Sequence, residues 1–234
     1  MTLTRAVIIL AALPLAACSR PAGGPSASAS PSPDATDAAR PLPSPVPEIV
    51  ARVNGQPIGI RQILPMAKTE LERLPEAERD QKKPEVLRRA LQEYIDRELL
   101  LQEALARGLH ADSSRVEWSY DQLRQGHADE AAWKDFLARQ GLDGQSFKAE
   151  LRAQHTVAAL LEQEVQAWPV PDEEARAAFA ANPGGFGPPD AKSPPAFEAV
   201  RGEVEAVLRQ EKREEIHAAL LARLRARARI ETYL

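Results

Sequence analysis

The chain has 234 residues, with 30 basic and 34 acidic side chains and a net charge of −4. That acidic balance is a poor match for nucleic acid, and the single cysteine excludes a disulfide framework. Aromatic residues make up only 5% of a chain that holds 20 prolines, so part of it lacks the material for a packed core.

The first elements are a secretory signal and a tether. Residues 1–17 carry Arg5 in a short positive opening, an apolar run over 6–13 and small residues before Cys18. The run is too short for a stable membrane span. Leu15-Ala16-Ala17-Cys18 resembles the bacterial lipobox, which implies that Cys18 is acylated and heads the mature protein; the alternative is an ordinary signal with a chance cysteine. Ser19, rather than Asp, is similar to the default pattern for the outer membrane. A lipid-anchored envelope protein on the periplasmic face of the outer membrane is expected, or on the outer face of a single-membrane cell. Residues 18–47 are dominated by Pro, Ala and Ser and read as an extended tether.

The folded part is expected over residues 48–234. Val50–Val53 alternate, Asn54-Gly55 supplies two positive-φ turn positions, and Ile58 and Ile60 resume the alternation, so residues 50–60 read as a hairpin. Pro57 demotes the second strand to an edge. Such short strands need a partner, and Ile230–Leu234, β-branched and aromatic, is predicted to supply it.

Between those ends the period is helical. Leu87, Leu91, Ile95 and Leu99 predict a long helix over 84–107, with Pro84 in its first turn and Gly108 as its stop. Val116, Tyr120 and Leu123 mark a helix over 113–125, and Trp133, Phe136 and Leu137 one over 130–140. Phe147, Leu151, Ala158, Leu161 and Val165 mark the next, which Pro169 and Pro171 terminate. Asp172 is expected as the cap of a short helix ending near Asn182, and Phe197, Val200, Val204, Leu208, Leu220 and Leu224 predict one last helix over 195–228. Arg209, Arg213, Arg223, Arg225, Arg227 and Arg229 are expected on its solvated face, with the mid-helix ones paired to Glu211, Glu214 and Glu215.

In that order these pieces resemble the non-catalytic core of the SurA/PrsA class of extracytoplasmic foldases. Four motifs carry the likeness. Val50-Ala51-Arg52-Val53-Asn54-Gly55-Gln56-Pro57-Ile58 matches the family's opening hairpin. The run from Leu91 through Ile95-Asp96 and Leu99-Leu100 to Ala104 and Gly108-Leu109 matches its long helix. Val170-Pro171-Asp172-Glu173-Glu174 matches its junction, and Phe197, Val200, Val204 and Leu208 its closing helix. Gly59 stands where the family often has Ser or Thr, a cap weaker by a few tenths of a kcal/mol, or about that. The fold class implied is mainly α, a SurA-like multi-helix core closed by the small β element.

The family's parvulin isomerase domain lies between the junction helix and the closing helix. Here residues 183–195 form only a short loop, too short for a fold with an active site. His110, His127, His155 and His217 show no pairing, and nothing has metal-ligand spacing or a phosphate loop, so no catalytic residue, metal or cofactor is assigned. The resemblance implies that the core binds unfolded or nascent envelope proteins in a crevice with apolar walls. Trp118, Tyr120, Trp133, Phe136, Trp168 and Phe179 are the residues proposed to touch clients, since aromatics give large contact area at low entropic cost. Two other readings stay open: an isomerase-family member with residual activity, and a dedicated adaptor lipoprotein of an export or surface-polysaccharide assembly.

Overall fold

The computed structural model describes residues 41–186 and 195–234. The signal, Cys18, most of the tether and residues 187–194 of the loop lie outside the described residues. Strand β1 (Ile49–Val53) turns into β2 (Gln56–Gly59), and helices α1 (Ile60–Arg73), α2 (Glu76–Ala106), α3 (Ser113–Gln125), α4 (Glu130–Arg139) and α5 (Gly144–Ala167) follow. After a proline-containing link come α6 (Asp172–Ala181), α7 (Phe197–Glu211), α8 (Arg213–Arg227) and strand β3 (Ile230–Thr232).

The two ends of the domain meet as the sequence predicts. The sheet order is β2-β1-β3, all antiparallel, with Val53 opposite Ile230 and Ala51 opposite Thr232. Asn54 and Gly55 have φ of 51° and 87°, both in the left-handed region that a two-residue hairpin turn requires. Asn54 does more than turn the chain. Its Oδ1 accepts from the Arg229 amide at 2.9 Å, its amide donates to Arg229 O at 2.8 Å, and its Nδ2 donates to Gln102 on α2 at 2.8 Å. Three short strands are marginal alone, and α2 supplies their floor: Val50, Val53, Ile58, Leu91, Ile95, Leu220, Leu224 and Leu234 share one buried cluster. Leu42 also packs against it, and Arg88 donates to Pro41 O at 3.3 Å, so packing begins before residue 48.

Three expectations are corrected. Helix α2 starts at Glu76, not at Pro84, which sits inside it. A proline there removes one helical bond, but Arg79 in the added turns donates Nε to Leu74 O at 3.1 Å and Nη2 to Glu72 O at 3.3 Å, binding the start of α2 to the end of α1. Asp172 is the first residue of α6 rather than its cap, which is Pro171, and its carboxylate pairs with Arg176 at 2.7 Å. The closing helix is two helices broken at Lys212. From Arg209 to Glu215 no side chain is apolar, so nothing can be buried there to hold the ladder continuous. The weak cap at Gly59 is offset, because Gln62 Oε1 accepts its amide at 2.6 Å.

The arginines of α8 add pairs to neighbouring helices. Arg213 pairs with Glu162 at 2.7 Å and Arg223 with Glu164 at 2.7 Å on α5, while Arg225 reaches Asp96 at 2.6 Å and Arg227 reaches Glu103, both on α2. Arg223, Arg227 and Arg229 are exposed, as a solvated face requires, and the cross-helix pairs lie on that face. Burial alone would raise the Glu164 pKa, but its bonds to Arg107 and Arg223 outweigh that and hold it below the ordinary 4.5. A lowered folded-state value means that the stabilisation is complete above the unfolded pKa and is lost as pH falls through the folded one. Glu164→Gln is therefore expected to lower stability by about 1 kcal/mol at neutral pH. Thermal melts of variant and wild type should converge as the buffer is taken well below pH 4.5.

Candidate functional site: the crevice beside Trp168

Two smaller clusters hold most of the aromatics. In the first, α3, α4 and α5 enclose Trp133, which is 1% exposed, together with Val116, Leu137, Phe147 and Leu151. Tyr120 and Phe147 meet the Trp133 ring edge-on, each with centroids 5.4 Å away, and Phe136 stacks on it at 5.4 Å. Trp133 Nε1 donates to Tyr120 OH at 3.3 Å, so the indole is satisfied as well as buried. Gly144 makes this approach achievable, because a Cβ there would lie 2.9 Å from the Tyr120 hydroxyl. Asp112, Asp129 and Asp143 cap the three helices by accepting the third-residue amide at 3.0, 2.8 and 2.7 Å.

Trp133 is thus a core residue with no surface to offer a client. Tyr120 and Phe136 are half-buried members of the same cluster. Trp118, also on α3, points the other way and is 64% exposed. Sequence spacing placed these residues on one stretch of chain; the helix faces separate them.

The second cluster is built by α6 and α7. Ala175, Val200, Val204 and Leu208 are buried, with Trp168, Val170, Phe179, Phe186 and Phe197 packed around them. Phe179 lies 5.6 Å from Phe197 and 6.0 Å from Phe186, and the Arg176 guanidinium covers the Phe197 ring at 4.5 Å. Phe179 is therefore half-buried inside the pair rather than displayed.

Trp168 has a double position. One side joins that cluster, and the other lines an open crevice of about 520 Å³ where the end of α5 meets α8. Ala167, Trp168 and Pro169 form one wall, and Ile216 and Ala219 form the other, over the buried Leu220. The rims are charged: Glu164 with Arg223 at one end and Lys212 with Glu215 at the other, the latter pair 3.1 Å apart. Apolar walls with paired charges at the margin can take apolar side chains of an extended chain and leave its polar backbone at the rim. The α8 wall was not read from sequence as a site, since Ile216, Ala219 and Leu220 look like ordinary helix-stripe residues; the signal was the break at Lys212, which turns that face toward Trp168.

Ser119 Oγ and His155 Nε2 are 2.9 Å apart, and both sit within helices, so their own backbone amides are committed to the helical ladder and are not free as oxyanion donors. Among the described residues no group of three His, Cys, Asp or Glu could hold a metal ion.

A family model described as the SurA-like N-terminal domain matches residues 4–161. The chain belongs to the SurA-like N-terminal domain family. A comparison with curated proteins finds no match. The match to the SurA-like domain ends within α5, so α6, α7, α8 and β3 follow it in sequence while α8 and β3 complete the same buried cluster. No parvulin domain is matched along the chain.

Proposed function

We propose that this protein is a lipid-anchored chaperone of the cell envelope that binds unfolded or nascent secreted and outer-membrane proteins in the crevice beside Trp168, without prolyl isomerase chemistry. Membership of a chaperone-type family supports the class. The observation that carries the reading is the crevice itself, apolar on both walls and open to solvent. Anchoring rests on the lipobox-like sequence at Cys18. Absence of isomerisation rests on the short spacing between Phe186 and Phe197.

The test is suppression of aggregation for several unrelated denatured proteins diluted from denaturant, followed by light scattering. Wild type is expected to suppress all of them. Trp168→Ala removes a large apolar contact, worth about 1.5–3 kcal/mol when buried, and is expected to weaken capture about tenfold or more. Ile216→Glu, on the opposite wall, is expected to do the same. Trp118→Ala, away from the crevice, should leave suppression unchanged. Protection of one partner alone would replace a general chaperone with an adaptor, and turnover of a proline tetrapeptide would restore the isomerase reading.

A further inference from the structure

The polypeptide passes between the α6–α7 pair and the rest of the domain at two points. The first is Trp168-Pro169-Val170-Pro171, where Trp168 is the C-cap of α5 and Pro171 the N-cap of α6. Two prolines keep this link out of any helical ladder. The second is Lys212, a single residue between α7 and α8, with φ −83° and ψ −1°. The ladder closes on its amide, which donates to Leu208 O at 2.9 Å, and starts again at Ile216, which donates to Lys212 O at 2.9 Å.

The described residues beyond those two points pack mainly on one another. The buried residues Ala175, Val200, Val204 and Leu208 form a core of their own, distinct from the cluster that holds Leu220 and Leu224. Ion pairs divide in the same way. Arg176 pairs with Asp172 and Glu198, Arg201 with Asp172 and Glu205, and Arg209 with Glu205, all within α6 and α7. Past Lys212 the arginines of α8 turn to α5 and α2. The crevice is lined by residues of both crossing points, Trp168 and Pro169 at one and Lys212 at the other.

We infer that α6 and α7 form an arm that swings about Trp168–Pro171 and Lys212, and that this swing reshapes the crevice through Trp168, which packs on the arm with one side and lines the crevice with the other. Rotation at these points leaves the main core and the arm's ion pairs intact. It disturbs the packing of Trp168 and Val170 on the arm, the bond from Arg209 Nε to Trp168 O, 3.3 Å long, and the contact between α7 and α5. A hinge is the cheapest motion when packed units are joined by so few torsions. The link from swing to crevice rests on the capture reading above, whereas the swing itself does not.

The experiment is a spin-label distance measurement on the full chain with Cys18→Ser. One pair spans arm and body, Gly202→Cys with Gln122→Cys; a Cβ at Gly202 meets nothing within 4 Å. The control pair stays in the body, Ala218→Cys with Gln122→Cys. The arm pair is expected to show a distance distribution about twice as wide as the body pair. Adding a permanently unfolded, carboxymethylated protein should narrow it and leave the body pair unchanged. An arm pair as narrow as the control, with and without that protein, overturns the hinge. If the arm pair is wide but the unfolded protein leaves it unchanged, the swing stands and its coupling to the crevice falls; loss of aggregation suppression alone removes the capture reading and leaves the hinge in place.

Discussion

Replacing Trp133 with alanine is expected to destabilise the domain by about 3–5 kcal/mol, the range for deleting a buried large aromatic side chain. The indole is 1% exposed and touches residues of three helices at once, so no neighbour can close over the space it leaves. Tyr120 loses its hydrogen-bond donor and Phe136 its stacking partner in the same step. Folded proteins have about 5–15 kcal/mol in hand, and the loss therefore takes a large share. Denaturant unfolding followed by far-ultraviolet circular dichroism reads it directly. A shift equivalent to less than 1 kcal/mol, roughly that of a surface change, would mean that the α3–α5 cluster is not what holds these helices together.

Deleting residues 230–234 is expected to do still more damage. Leu234 is 3% exposed in the main core, Ile230 packs against it, and the Tyr233 amide donates to Val50 O at 2.9 Å. Loss of a buried leucine alone costs about 2–5 kcal/mol. Truncation also strips β1, the central strand, of its partner on one side, and leaves the buried residues Val50 and Val53 next to open solvent. The shortened chain should have a lower unfolding midpoint than Trp133→Ala, together with hydrogen exchange of the β1 and β2 amides faster by orders of magnitude. Unchanged protection of those amides would contradict the closure of the domain by its distant ends.

The parts that could be read from sequence are those fixed by short-range rules. Asn54-Gly55 with alternating neighbours dictates a hairpin whatever surrounds it, and a lone hairpin needs a third strand, which Ile230–Thr232 supplies. Asp112, Gly126, Asp129, Gly141 and Asp143 bracket α3, α4 and α5 closely, because caps act within one turn. The misread boundaries depend on distant contacts. Pro84 looks like a first-turn residue until Arg79 is found holding the preceding turns to α1. The break at Lys212 carries no glycine or proline, and its residues are good helix formers; only the gap in apolar residues between Leu208 and Ile216 announced it.

The site was legible in kind but not in membership. Aromatic type says that a residue carries contact area, not which way it faces. Trp118 and Trp133 illustrate the limit: α3 turns the first outward, and α4 turns the second into the middle of a three-helix cluster. Trp168 was within reach because it stands at a proline-marked junction, while its opposite wall on α8 exists only through tertiary packing.

Pro57 has a final consequence. In a two-residue hairpin the pair flanking the turn, Val53 and Gln56, exchanges hydrogen bonds, so the next pair, Arg52 and Pro57, does not, and the Pro57 nitrogen faces away from β1. The missing proton therefore costs the hairpin nothing and is withdrawn from the outer margin of the sheet. An extended segment arriving at Pro57 finds no amide proton to pair with there, so that margin of the sheet resists strand-to-strand annealing.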